Sequence, residues 1–185
     1  MNKTYIFLTD GFEETEALTT VDIIRRADIF IETVSLTNNL SVKGKNGIVV
    51  VADILFSEIN IDDADTLILP GGAVLPGYEN HLELEQTLIN FSEKDGLIAA
   101  ICAAPVYIAK IGLLKEQTAV CFPALENVLI EHNVVLGNKI VEESNLFITS
   151  KGPGTTPFFA LAIVARLVGT ETAEKIKKEF LLDLI

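Results

Sequence analysis

Three runs of nearly unbroken apolar character, TYIFLTD (4–10), DTLILPGG (65–72) and GLIAAIC (96–102), each stop abruptly, and each gives way to a segment of helical spacing. A strand apolar on both sides must be covered on both, and a strand that returns through a helix re-enters its sheet in the parallel sense. The alternation therefore predicts an α/β fold, a doubly wound and mostly parallel sheet sandwiched between two helical layers. Helices are expected over 13–27, 81–95, 104–114 and 154–169, with a last one over about 171–180. Further strands are expected in IFIETVSL (29–36), TAVCF (118–122), NKIVEE (138–143) and NLFITS (145–150). VKGKNGIVVVADILF, with Gly44 and Asn46-Gly47 between β-prone runs, reads as a small β-hairpin excursion.

With 185 residues, no linker and no internal repeat, the chain reads as a single domain, 1–185. Its net charge of −12 comes with no cluster of lysine or arginine, so no nonspecific nucleic-acid binding is expected. No apolar stretch approaches the roughly 18 residues of a membrane span. MNKTYIFLTDGFEE also reaches its acidic residues before a signal-peptide core is complete, so the expectation is no membrane and a cytoplasmic location. Two cysteines, Cys102 and Cys121, are too few for a disulfide framework. His81 and His132 lack metal-ligand spacing, read as surface histidines and suggest no metal.

In doubly wound sheets, ligands gather beyond the carboxyl ends of the strands. Three such ends are DGFEETE (10–16), PGG (70–72) and CAAP (102–105). Cys102 lies between a strand and a helix start, where free N–H groups and the helix dipole favour a thiolate and would lower its pKa. The alternative is a small buried apolar residue, since free cysteine is among the most buried types. Gly71-Gly72 could leave backbone N–H groups facing a developing oxyanion, or be only a turn. Glu13 and Glu14 are explained by the dipole of the helix they open, whereas Glu16, about one turn in, can reach back over the strand ends toward a thiol. Cys121 reads as a core cysteine at a strand end, and KGPGTT (151–156) as a Gly/Pro loop opening a helix, because it lacks the order of a phosphate loop.

Together, DGFEETEALTTVDIIRRA, LILPGG, GLIAAICAAP and SKGPGTTPFFALAIV resemble the ThiJ/PfpI superfamily, in the branch of the parkinsonism-associated protein deglycase and its bacterial relatives. The resemblance implies a flavodoxin-like domain, related to class I glutamine amidotransferases, with Cys102 as nucleophile at an elbow and Glu16 as the carboxylic acid beside it. It also implies that the Gly72 and Ala103 amides form an oxyanion site, that Gly71 and Phe122 line the pocket, and that the chain is a homodimer. Phe122 stands where several members place a histidine. Ala103 stands where the protease-like branch has histidine after the cysteine, which weakens the case for a cysteine hydrolase or peptidase. The leading expectation is a cofactor-independent enzyme of the glyoxalase or deglycase kind, acting on a small aldehyde such as methylglyoxal or on a glycated substrate. The alternative is a redox-sensing or stress-protective, chaperone-like protein working through oxidation of Cys102.

Overall fold

In the computed structural model, residues 3–184 are described. The first apolar run forms β1 (Lys3–Leu8), and α1 (Glu14–Arg26) follows it with acidic residues in its first turn and Arg25 and Arg26 in its last, as the helix dipole favours. Next come β2 (Phe30–Ser35), the antiparallel pair β3 (Ser41–Lys43) and β4 (Val49–Val51), and β5 (Ile54–Leu55). The second apolar run is β6 (Thr66–Leu69), leading into α2 (Leu75–Glu79) and α3 (Leu82–Glu93). The third is β7 (Leu97–Ile101), leading directly into α4 (Ala104–Lys110). The remaining elements are β8 (Thr118–Ala119), α5 (Glu126–Glu131), β9 (Val135–Leu136), β10 (Val141–Ser144), β11 (Phe147–Ser150), α6 (Thr156–Val168) and α7 (Thr170–Glu179).

Seven strands make one sheet in the order β10-β11-β7-β6-β1-β2-β5, parallel throughout except for β10. The order places the topological switch at β1 and β6, where the chain winds outward in opposite directions. Helices α1, α6 and α7 pack together, as do α2, α3 and α4, giving the two layers the sequence predicts. β6 and β7 are buried along their whole length. Each Leu or Ile so enclosed contributes roughly 1.5–3 kcal/mol of transfer free energy, which holds these strand ends in place as a platform.

The structure departs from the sequence reading around TAVCF. Only Thr118 and Ala119 are strand, paired with β9 in a separate small sheet. Beyond them the backbone finds other partners: Val120 N–H donates to Thr149 Oγ1 and Phe122 N–H to the Cys102 carbonyl. The short helices α2 and α5 are not legible in the sequence, α2 because two of its five residues are Pro76 and Gly77.

Candidate active site

Glu13 caps α1, its Oε2 accepting the Glu16 N–H at 2.8 Å. The helix turns Ala17, Thr20, Val21 and Ile24 inward and carries Glu16 with them, so its carboxyl is fully buried. Oε2 of that carboxyl accepts the Gly71 N–H at 2.7 Å, while Oε1 is buried without an N–H or O–H donor. An oxygen that receives an N–H acts as acceptor, so the proton of the neutral acid belongs on Oε1. The Cys102 side chain lies beside the same carboxyl across Gly71, and each group bears on the acidity of the other.

The Pro70–Gly71 peptide is itself held. Tyr78, fully buried on α2, donates its O–H to the Pro70 carbonyl at 2.8 Å, with the Phe7 carbonyl as a longer acceptor at 3.3 Å. The Pro70 carbonyl and the Gly71 N–H are two ends of one planar unit, so Tyr78 fixes the plane that aims the N–H at Glu16. Gly71 must lack a side chain, since a Cβ there would stand 2.5 Å from Cys102 Cβ and 2.8 Å from Glu16 Oε2. Gly72 has φ +109°, and a Cβ on it would collide with the backbone of Gly11 to Glu13.

Cys102 itself has φ +63°, the left-handed region that non-glycine residues occupy at a cost of roughly 1–3 kcal/mol. It is clamped there by its N–H, which donates to the Ser150 carbonyl at 2.9 Å, and by its carbonyl, which accepts the Phe122 N–H at 2.8 Å. One residue thereby turns β7 into α4 and places the sulfur at the strand end, the geometry of a nucleophile elbow. The Gly72 and Ala103 backbone amides act on the sulfur so as to favour its thiolate.

The expectation of a lowered thiol pKa is corrected. Burial, then the charge of Glu16 and its hydrogen bond, push Cys102 up to about 12, more than the Gly72 and Ala103 amides pull it down. Burial likewise raises Glu16 to about 7, against the Gly71 N–H. Near neutrality the thiol keeps its proton and the carboxyl titrates, because removing water penalises both anions and one charge penalises the second.

Cys102, Gly72 and Ala103 share a cavity of about 270 Å³ with Phe122, Glu13 and Lys45. Phe122 lines this cavity as expected, but Gly71 lies behind the wall rather than on it, its backbone spent on Glu16. Glu13, Lys45 and Tyr78 escape the sequence reading. The cap spacing from Glu13 to Glu16 is a usable local signal, whereas nothing near Lys45 or Tyr78 points to this place. Neither histidine lines the cavity. His81 is half-buried rather than a bare surface residue, with Nδ1 accepting the Leu84 N–H at 3.1 Å to cap α3. Cys121 is fully buried, and burial pushes its thiol up to about 12. No helix among the described residues is long and apolar enough to cross a membrane.

A profile of the DJ-1/PfpI family matches residues 2–166. The sequence is similar to protein DJ-1alpha of Drosophila melanogaster, 36% identical over 178 residues that cover 95% of this chain and 82% of that protein. It is similar to the glutathione-independent glyoxalase DJR-1.2 of Caenorhabditis elegans, 30% identical over 169 residues that cover 90% of this chain and 88% of the other. Among solved structures, oxidized DJ-1 of Toxoplasma gondii superposes with a TM-score of 0.92 at 30% identity, covering 98% of both chains.

Proposed function

The chain belongs to the DJ-1/PfpI family, and on that footing we propose that it is a cofactor-independent cysteine enzyme that converts small reactive carbonyls, with Cys102 as nucleophile and Glu16 as acid and base. The observation that carries this reading is the buried Glu16 carboxyl, raised to about 7 and set beside the Cys102 side chain, which lines an accessible cavity. A base whose pKa lies near the working pH combines the right protonation state with enough driving force to move a proton.

Above about pH 7 the Glu16 carboxylate accepts the thiol proton as Sγ attacks an aldehyde carbon. The C–S bond forms, the carbonyl π pair moves to oxygen, and the Gly72 and Ala103 N–H groups stabilise that charge. Glu16 returns the proton to the oxygen, giving a hemithioacetal. With an α-oxoaldehyde, Glu16 next takes the proton from the former aldehyde carbon and delivers it to the neighbouring carbon through an enediol. A thioester results, and water hydrolyses it to a 2-hydroxy acid and the free thiol. One carbon is oxidised and its neighbour reduced, so no external redox partner is needed. The nematode relative, a glutathione-independent glyoxalase, supports this reading.

The test is lactate formation from methylglyoxal by the wild type, Cys102→Ala and Glu16→Gln. The wild type is expected to turn over with kcat/KM rising through about pH 7 as Glu16 ionises, and a wild-type rate no greater than that of Cys102→Ala would sink the proposal.

A second reading has its own support: the Toxoplasma relative was solved in oxidized form, and Cys102, 9% exposed, is open to a small oxidant. Two equivalents of peroxide would take the thiol to a sulfinate and yield two waters, with the Gly72 and Ala103 amides and a protonated Glu16 available to the new oxygens. Mass spectrometry after mild peroxide is expected to show two oxygens on Cys102 and none on Cys121. Equal oxidation of both would count against a tuned sensor.

A further inference from the structure

Lys45 reaches the reactive cavity from the hairpin of β3 and β4, and the mechanism above leaves it without a task. The hairpin tip is bonded in place from two sides. The Glu14 carboxylate accepts the Asn46 N–H and Nδ2–H, both at 2.8 Å, and the Ile48 N–H at 3.3 Å. Lys45 N–H donates to the Phe12 carbonyl, and Gly11 N–H to the Lys43 carbonyl, each at 2.8 Å. At Gly44 the fit is so close that a Cβ would run into the Glu14 side chain. A loop tied down this way sets its lysine against the cavity by construction.

The Lys45 ammonium makes no ion pair among the described residues, although the chain has 26 Asp and Glu against 14 Lys and Arg. Its charge is felt at Glu16, whose carboxylate it favours, against the opposing and larger influence of the Glu13 carboxylate. Glu13, the acid lining the same cavity, is already engaged by the Glu16 N–H and the N-terminus of α1. The cavity therefore carries both signs, and among the described residues that line it Lys45 is the one cation, in a molecule whose net charge of −12 repels anions. A neutral aldehyde has no use for such a group. A substrate with an anionic tail does, because a point charge at the end of a short cavity offsets that repulsion and orients the other end toward sulfur.

We propose that Lys45 is a specificity-determining residue and that the substrate is a short aldehyde bearing a carboxylate or phosphate, its anion on Lys45 and its carbonyl carbon at Cys102. This rests on the carbonyl reading of Cys102, so one arm of the test is independent of turnover. Cys102 is alkylated with iodoacetate and with iodoacetamide, which differ in charge, in the wild type, Lys45→Met and Lys45→Arg. The ratio of the iodoacetate rate to the iodoacetamide rate is expected to fall about fivefold in Lys45→Met, less in high salt, and to be retained in Lys45→Arg. An unchanged ratio overturns the proposal.

In the second arm, kcat/KM is compared for three α-oxoaldehydes: neutral methylglyoxal, γ,δ-dioxovalerate with a carboxylate, and hydroxypyruvaldehyde phosphate. Assayed at about pH 8.5, above the Glu16 titration near 7 so that the base is ionised in both proteins, Lys45→Met is expected to lose about fivefold or more on the anionic compounds and less than twofold on methylglyoxal. A loss confined to one anion assigns that anion as the natural tail. An equal loss on all three, or none on any, overturns the proposal. If the wild type turns over none of them faster than Cys102→Ala does, the carbonyl reading fails, and the alkylation ratio still decides whether Lys45 selects anions.

Discussion

Replacing Glu16 with glutamine removes the titrating carboxyl while keeping its shape. The amide oxygen can still accept the Gly71 N–H, and the amide nitrogen takes the place of the unpartnered Oε1 beside Cys102. The carboxyl is raised from 4.5 to about 7, chiefly by burial, so the folded protein holds a proton that the unfolded chain releases. The stability associated with the neutral acid is fully present below pH 4.5, falls as pH rises through this window, and is gone above about 7. The size of that loss is about 3 kcal/mol, accumulating at roughly 1.4 kcal/mol per pH unit. Glutamine has no proton to lose. Urea unfolding of wild type and Glu16→Gln at intervals from pH 4 to 8.5 isolates this group, because other titrating residues cancel in the difference. The variant is expected to match the wild type near pH 4.5 and to exceed it by about 3 kcal/mol at pH 8. The same substitution should lower kcat by about 100-fold or more, the usual worth of a positioned acid and base. A stability difference that stays flat across the range would refute the assignment of the neutral-pH titration to Glu16, whatever happened to the activity.

Gly71→Ala would bring a Cβ to within 2.9 Å of Ala103 N as well as against Cys102 and Glu16. It is expected to destabilise by about 1–3 kcal/mol and to lower kcat at least about tenfold; unchanged kinetics would mean that the elbow is looser than described. Tyr78→Phe leaves the Pro70 carbonyl without its 2.8 Å donor, at a cost of about 1–3 kcal/mol. It should move the acidic limb of the kcat/KM profile upward, since a less well held Gly71 N–H stabilises the Glu16 carboxylate less, and a limb that stays in place would assign Tyr78 to stability alone. Glu14→Ala removes the acceptor for the Asn46 and Ile48 amides. Hydrogen exchange at those two positions should accelerate at least about tenfold while the α1 amides keep their protection. Phe122→Ala widens a cavity wall that is 43% exposed. A higher KM with little change in Tm is expected, and a large drop in Tm would place Phe122 in the core instead.

Strand ends were the most legible part of this molecule. Apolar runs closed by Asp10-Gly11, Pro70-Gly71-Gly72 and Cys102 carry their own termination signals, and the rule that ligands gather beyond parallel strands then makes Cys102, Glu16 and the Gly71-Gly72 pair candidates without coordinates, Gly72 being chosen from the pair by the family resemblance. The reading failed where a segment's partners are not its neighbours. TAVCF has β-prone composition, yet its amides go to Thr149 and Cys102, so it leaves the ladder after two residues. Periodicity and turn chemistry are encoded within a few residues of where they act, and the sequence by itself therefore determined the sheet, its direction and the candidate nucleophile with its acid. Acidity, strain and the cavity's charge are set by what packs in from far along the chain. Only the tertiary structure decided that Cys102 sits at positive φ, that burial raises its thiol against the pull of the helix start, that Tyr78 steadies the peptide binding Glu16, and that a hairpin bolted to Glu14 delivers Lys45 to the sulfur's cavity.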